Sequence, residues 1–394
     1  MSEWKEYTIG ELCDSVSDSY KRNDKQVILI NTSDVLNGKV LNHSPAPNEN
    51  LKGQFRKTFR RDDILYSEIR PANKRFAYID FDNTENYIAS SKLMVLRPHR
   101  EIVLSRFLYN VLKSPEIINK LQQLAETRSG TFPQITFLSE LAPMRVKIPD
   151  FETQCKIASV LSALDDKIEL NRKINQNLEE QAQAIFENSI VNATKNGVIG
   201  NYCSVKSGYA FKSSWWIDDG VQVVKIKNIT NGFLNLTDCS YVSLDKIEIA
   251  KEFLVTGGDV LIAMTGATIG KFSVVPKYDK PILVNQRVGR FLLGNNPIER
   301  LPFLFCTLKL PDIMAEIINR GQGSAQPNIS ATDIMTTPCY IPDNNIITYF
   351  NNMCKPIFES IISRQQENQR LSAMRDALLP KLMSGEIDVS DVKI

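Results

Sequence analysis

Residues 148–186 read IPDFETQCKIASVLSALDDKIELNRKINQNLEEQAQAIF, and the spacing of their apolar side chains decides the fold. Ile157, Leu161, Leu164 and Ile168 recur at alternating steps of four and three. Polar Asn171 and Asn175 then hold the same positions, and Leu178, Ala182 and Ile185 resume the series. That is a heptad seam, the narrow stripe of a helix built to lie against another helix. A second seam follows Pro342, through Phe350, Cys354, Ile357, Ile361, Arg364, Asn368, Leu371, Arg375 and Leu378. Neither has Gly or Pro in its repeating core, apart from Pro356 one place off the seam. Each stretch predicts a helix of about 35–40 residues, roughly 55–60 Å long. With a globule between them, two such helices are expected to pair antiparallel. The pairing residues are then Leu164, Ile168, Asn175 and Leu178 on the first, and Ile357, Ile361, Asn368 and Leu371 on the second. Asn175 and Asn368 would fix register at some cost in stability. The plainer alternative is that each helix packs on its own globule.

Outward from the helices, the whole chain repeats once. Asp63-Ile64-Leu65 answers Asp259-Val260-Leu261, Arg75-Phe76 answers Lys271-Phe272, and Ser90-Ser91-Lys92 answers Asn285-Gln286-Arg287. Leu112-Lys113-Ser114-Pro115 answers Leu308-Lys309-Leu310-Pro311. Pro133-Gln134-Ile135 answers Pro327-Asn328-Ile329, and Ile148-Pro149-Asp150 answers Ile341-Pro342-Asp343. Six landmarks in one order at a nearly constant offset describe tandem domains, and two copies are too few for a solenoid.

The first part of each copy mixes strands and short helices. β-branched and aromatic runs predict strands at 26–30, 76–79, 93–96, 221–226, 260–263 and 287–293. Helices are expected at 105–113, 115–124, 301–308 and 311–319, with Pro115 and Pro311 suited to a first turn. The expected fold class is α/β, of the α+β type: two repeated globules separated by two long antiparallel coiled-coil helices in pseudo-twofold arrangement. The expected boundaries are 1–148, 149–195, 196–341 and 342–394.

The 394 residues carry a net charge of only +2, which excludes a polycationic tail but not a basic face balanced elsewhere. Seven cysteines without a CxxC pair, and two distant histidines, His43 and His99, offer no zinc spacing. The cysteines are therefore expected to be reduced and mostly buried. No run is long and apolar enough to span a bilayer, and MSEWKEYTIGEL lacks the apolar core of a secretory signal, so a cytoplasmic location is expected.

Enzyme motifs fail on their chemistry. Gly266-Ala267-Thr268-Ile269-Gly270-Lys271 has three residues between its glycines instead of the four of a P-loop, and Phe272 replaces the Ser or Thr. Pro149-Asp150 with Asp165-Asp166-Lys167 would suit a nuclease metal, but Asp165 sits inside the heptad helix and reads as a solvated charge. Asn296-Pro297-Ile298 is not a methyltransferase motif, and no nucleophile elbow is present. No catalytic residue, metal site or resident cofactor is expected.

Two related globules on a long spacer suit bipartite DNA reading. In the first copy Arg56, Lys57, Arg60 and Arg61 could grip a phosphate backbone, with Arg70, Lys74, Arg75 and Lys92 nearby. In the second, Lys206, Tyr209, Lys212, Lys225, Lys227 and Asn228 are comparable. Arg, Asn and Gln are the side chains that read bases bidentately, which singles out Asn285, Gln286, Arg287, Gln322, Gln326 and Asn328. Thr265, Thr268 and Lys271 complete the set. A protein scaffold using the same helices is the rival reading, and a nicking nuclease a third.

The runs KSGYAFKSSWW (206–216), GGDVLIAMTGATIGKF (257–272) and NQRVGRF (285–291) resemble the target-recognition domain of type I restriction-modification specificity subunits. LSAMRDALLPKLMSGEI (371–387) resembles that family's distal helical region, 148–182 its central one, and WKEYTIGELCDSV (4–16) its opening. The resemblance implies a non-catalytic subunit whose two domains each read half of an asymmetric, interrupted site. It implies double-stranded DNA, two modification subunits docked on the helices, and motor-nuclease subunits as partners. S-adenosylmethionine, ATP and magnesium would sit on those partners only. The first copy departs from the pattern with SEIRPANKR in place of MTGATIGK. The second helical region has Asn344-Asn345 for Phe151-Glu152 and, in sequence, lacks a counterpart to Gln154.

Overall fold

The computed structural model describes residues 4–36, 38–49, 51, 53–127, 133–190, 194–230, 232–236, 238–321 and 327–393. The chain divides into two compact units, Met1–Asp165 with Ser372–Ile394, and Asp166–Leu371. In the first, Cys13–Val16, Leu93–Pro98, Ile64–Ser67 and Phe76–Tyr78 form an antiparallel sheet in that spatial order. A second sheet sets Gln26–Ile30 parallel to Tyr87–Ser90, with Ala46–Pro47 and Phe55–Lys57 antiparallel at its edges. The second unit repeats the plan: Ser204–Ser207, Val288–Leu292, Val260–Ala263 and Phe272–Val274 are antiparallel, and Val221–Val224 runs parallel to Ile282–Val284.

These strands read as continuous apolar runs because each unit stacks three layers. All of Ile64–Ser67 is buried: Ile64 and Tyr66 face the helices, while Leu65 joins Val95 and Ala77 in the core beneath the second sheet. Val260 and Ile262 face helices in the same way, and Leu261 and Ala263 line the other core. A strand covered on both faces loses its polar alternation. Helices Ser105–Leu112, Pro115–Glu126, Leu301–Lys309 and Pro311–Asn319 stand where the proline-marked landmarks place them.

The two long helices are Phe151–Ile190 and Asn344–Met383, forty residues each. Within the second unit they are antiparallel: Phe186 meets Phe350, the Asn175 Nδ2 donates to the Ile361 carbonyl at 3.2 Å, and the Asn171 Nδ2 donates to the Asn368 Oδ1 at 2.9 Å. Asn368 therefore answers Asn171, one step along the seam from Asn175. Within the first unit, Ile157 and Leu161 share a core with Leu379 and Leu382. Both expectations for the helices hold, since each packs on its partner and on a globule.

That double duty shifts the seam. Ile168, Asn175, Ile361 and Asn368 are buried, but Leu164, Leu178, Ile357 and Leu371 are half-buried. Ile185 and Leu378 are half-buried too, and Phe186, Phe358 and Leu379, which follow Ile185, Ile357 and Leu378, fill the cores instead. A helix contacting two surfaces buries a wider face than a coiled-coil stripe.

Asp165 is not a solvated charge. Its carboxylate bridges Lys113 at 3.4 Å and Arg375 at 2.8 Å. Burial works against its ionisation, but Lys113 and Arg375 outweigh it and hold the carboxyl below its ordinary range. Lys113 also lies 4.8 Å from the Tyr109 ring, and the second unit matches this with Lys309 at 5.3 Å from Phe305 and paired to Glu179 at 3.1 Å. Asp150, the other half of the nuclease-like pair, accepts from the Thr153 amide at 2.9 Å and caps the central helix. Gln154 has a counterpart after all: its Oε1 accepts from the Leu104 amide at 2.8 Å, and the Asn351 Oδ1 accepts from the Phe303 amide at 2.9 Å.

Asp165→Ala leaves Lys113 largely buried without its carboxylate. The expected loss is about 2 kcal/mol in denaturant unfolding, below the ~3–5 of a fully buried pair because Asp165 and Arg375 keep 30% and 28% side-chain exposure. The folded-state pKa is depressed, so the contribution is complete above about pH 4 and fades as pH falls through the folded value. The wild-type and variant stabilities should converge in acid. A gap that stays constant from pH 7 to pH 3 would rule out the ion triad as its source.

Candidate nucleic-acid interface

In each unit the same three backbone hydrogen bonds gather the suspected contact segments. In the second unit the Met264 amide donates to the Arg287 carbonyl at 3.1 Å, the Ile329 amide to Met264 at 2.9 Å, and the Gly266 amide to Pro327 at 3.1 Å. In the first, the Glu68 amide donates to Lys92 at 3.0 Å, Ile135 to Glu68 at 2.8 Å, and Arg70 to Pro133 at 3.0 Å. Segments distant in sequence thus become one junction, and side chains that diverge between the copies stand on a shared backbone.

At the second junction Gln286, Arg287, Asn328 and Lys271 are exposed. A cleft of about 620 Å³ opens there, lined among others by Ser207, Thr265, Gln286, Arg287 and Asn328. Among the described residues the Arg287 and Lys271 side chains have no ion-pair partner. Asn285 is half-buried and its Oδ1 accepts weakly from the Arg287 amide at 3.4 Å. The Thr268 hydroxyl turns back to the Thr265 carbonyl at 3.5 Å, while the Thr265 hydroxyl is buried with no hydrogen-bond partner among the described residues.

Tyr209 is tied to the same junction by hydrogen bonds with Val284 and Gln286. Its ring stacks on Trp215 with centroids 6.0 Å apart and 8° between planes, and Phe211 and Phe253 meet it edge-on. Lysines border this aromatic wall. Lys225 lies 3.6 Å from the Trp216 ring centre, and burial, then Lys227, push its ammonium pKa down. Lys212 lies 5.5 Å from Trp215, and Lys206 sits over Phe253 and pairs with Glu252 at 2.6 Å. Trp215, Trp216 and Phe253 escaped the sequence reading, although the Ser-Ser-Trp-Trp run beside Lys212 carried the signal. Such a wall offers flat faces for cations or bases.

At the first junction Arg70, Lys74 and Lys92 are exposed, and Lys92 reaches Glu68 at 3.5 Å and the Gln134 Oε1 at 3.4 Å. Arg56 and Arg60 are exposed as well, and Arg61 pairs with Asp82 at 2.7 Å on the surface.

Three of the expected contact residues are engaged within the fold. The Lys57 ammonium donates to the Ser91 and Leu93 carbonyls at 3.1 and 2.8 Å, and burial lowers its pKa. Arg75 is half-buried and donates to the Ser33 carbonyl at 2.9 Å. Asn228 is buried: its amide group donates to the Asn235 and Asp238 carbonyls, and its Oδ1 accepts from the Lys225 amide. Lys227 remains on the surface, paired with Asp238 at 2.7 Å. Gln322 and Gln326 lie outside the described residues. Among the described residues no group of three or more His, Cys, Asp or Glu could hold a metal ion, and no helix is long and apolar enough to cross a membrane.

Comparison with known proteins places the chain in a family. The family model for the type I restriction modification DNA specificity domain matches residues 1–180 and again 194–357. The HindI specificity subunit of Haemophilus influenzae is 31% identical over 98% of this chain and 100% of its own length. The MjaIX specificity subunit of Methanocaldococcus jannaschii is 25% identical over 74% of this chain and 71% of its own. Among solved structures, an S subunit of a type I restriction-modification system from M. genitalium shares the fold, with TM-score 0.51, 16% identity and coverage of 97% and 96%.

Structural and exposed candidates separate in a thermal-unfolding screen. Asn228→Ala strands two carbonyls and an amide and should cost about 2 kcal/mol, a fall of several degrees in Tm. Arg287→Ala should leave the Tm within about one degree. Equal shifts for the two would contradict the division.

Proposed function

The chain belongs to the type I restriction-modification DNA specificity family, and from that premise we propose that it reads an interrupted, asymmetric DNA site, one half-site per repeat. Residues 1–148 and 196–341 are the two reading domains in this proposal, and the protein is non-catalytic on its own. The observation that carries it is the pair of junctions. One backbone arrangement occurs twice and bears Ser90-Ser91-Lys92 with Gln134 in one unit and Asn285-Gln286-Arg287 with Asn328 in the other. Identical scaffolds with different donors and acceptors are what two different base sequences demand.

The partners in this reading are double-stranded DNA, two modification subunits and motor-nuclease subunits, working in the cytoplasm. S-adenosylmethionine, ATP and magnesium belong to those subunits. Docking on the long helices is supported by Ile346, Tyr349 and Met353, an apolar stripe on the distal helix that is 46%, 70% and 40% exposed. Side chains at these steps share one helical face, and a large exposed apolar stripe marks a contact surface.

Co-expression with the cognate modification subunit, followed by methylome sequencing, tests the proposal. The expected motif is interrupted, with a modified base in each half-site, and the chain alone should transfer no methyl groups. DNA affinity should fall on a log–log line with salt, roughly 10³-fold between about 50 and 200 mM if about six phosphates are contacted. A continuous palindrome, or affinity indifferent to salt on every DNA tried, would defeat this reading and favour a protein scaffold.

A further inference from the structure

The loop joining Ile64–Ser67 to Phe76–Tyr78 places two large cations where the backbone favours glycine. Arg70 has φ +47° and Lys74 φ +53°. In that left-handed region an L side chain crowds its own backbone, and the strain persists only where the surrounding structure enforces it. The matching loop of the second unit, between Val260–Ala263 and Phe272–Val274, has Gly266 at φ +73° and Gly270 at φ +82° at the same two steps.

Two backbone hydrogen bonds are common to both loops, which part at the second step, where the Lys74 amide donates to Pro71 at 2.9 Å and the Gly270 amide to Ala263 at 3.0 Å. The Ser67 amide donates to Arg75 at 2.8 Å as Ala263 donates to Lys271 at 2.8 Å. Asn73 donates to Arg70 at 2.8 Å as Ile269 donates to Gly266 at 3.1 Å. The supporting helices have diverged to suit. A Cβ at Gly270 would lie 2.6 Å from the Ile318 Cγ1, so that loop excludes a side chain there. In the first unit Gln122 takes the place of Ile318, and its Oε1 accepts from the Ala72 amide at 3.0 Å, bracing the turn from behind. Gly266 is the more telling position. Among the described residues a Cβ there would meet only the Ile226 Cδ1, at 3.9 Å, so crowding by them does not explain the glycine. One copy takes the unstrained residue at both steps, while the other keeps two exposed cations in strained backbone.

We infer that Arg70 and Lys74 determine the specificity of the first half-site, Arg70 reading a guanine and Lys74 gripping an adjoining phosphate. This rests on the DNA-reading assignment above. A guanidinium fork matches the O6 and N7 of guanine, and a lysine ammonium acts as a point charge. The braced turn fixes the backbone from which both side chains project, which lowers the backbone share of the ordering cost of binding. The second unit's loop offers bare backbone at these steps, and readout there falls to Gln286 and Arg287.

The test uses the complete complex with its modification subunits, on duplexes carrying each single base-pair change in each half-site. Arg70→Gly should cut discrimination at one G·C pair of one half-site by roughly 10–100-fold and leave the other half-site untouched. Its Tm should stay level or rise, because glycine relaxes the left-handed strain. Arg70→Lys should lose the same discrimination despite keeping its charge. Lys74→Gly should weaken all sequences alike and reduce the salt slope by about one. Unchanged base preference in both Arg70 variants overturns the inference, as does a lowered Tm with both half-sites weakened together. A wild-type complex without sequence-dependent binding overturns instead the DNA-reading assignment beneath it.

Discussion

The first unit cannot close its core with consecutive chain. Leu379, Leu382 and Val389 lie at most 5% exposed among Ile9, Leu12, Ile157 and Leu161, so the last residues complete a globule that began with the first. Everything between must return the chain to that point, and the distal helix therefore runs antiparallel to the central one. Contacts spanning more than 200 residues are slow to form, since loop closure comes before any gain from burial. The tight local elements ease this. The helix pairs at Ser105–Glu126 and Leu301–Asn319 and the strand pairs Ile64–Ser67 with Phe76–Tyr78 and Val260–Ala263 with Phe272–Val274 join near neighbours in each unit.

A long antiparallel pair with a purely apolar seam could slip by a heptad at little cost. The buried asparagines oppose that. Asn171 satisfies Asn368 and Glu367 in one register, and Asn175 reaches the Ile361 carbonyl. The arrangement is not free of cost, because among the described residues the Asn175 Oδ1 and the Asn368 Nδ2 are left without partners. Leucine at these positions would pack more favourably but would remove this polar check on the register. Lys113, Asp165 and Arg375 add a charged check within the first unit, where a shifted helix would strand a carboxylate between two cations.

The repeat, the helices and the class of fold were legible because they rest on local periodicity and on ordered landmarks. Pairing across the chain was not. Asp165 read as a surface charge because its partners lie 52 and 210 residues away. Lys57, Arg75 and Asn228 read as free donors because sequence shows a donor and not the carbonyl that receives it. The seam was misplaced by one residue at Phe186 and Phe358, since heptad spacing assumes a helix with one partner and these have two. Gln154 appeared to lack a counterpart because Asn351 is shorter and sits at a shifted offset, yet it caps the matching helix. The junctions themselves were half visible: their three segments were named, but only the backbone bonds bring them together.

What the duplication preserved is chiefly main-chain geometry, and that is why the copies could diverge. Asp63 pairs with Arg97 at 2.9 Å and Asp259 with Arg290 at 3.1 Å, both aspartates being almost wholly buried. The arginines do not occupy equivalent positions. Arg97 lies just beyond the Leu96–Ile64 pair, opposite Asp63, whereas Arg290 faces Leu261, two residues from Asp259. The buried carboxylate needed a cation, and any position on the same strand face could supply it. Backbone hydrogen bonds work differently, because they hold a loop in place whatever side chain it bears, so long as the conformation remains affordable. Glycine makes it so in one copy, and a braced, strained loop does so in the other. A scaffold held by its main chain can change its exposed side chains without refolding, and that freedom is what the proposed reading of two unlike half-sites requires.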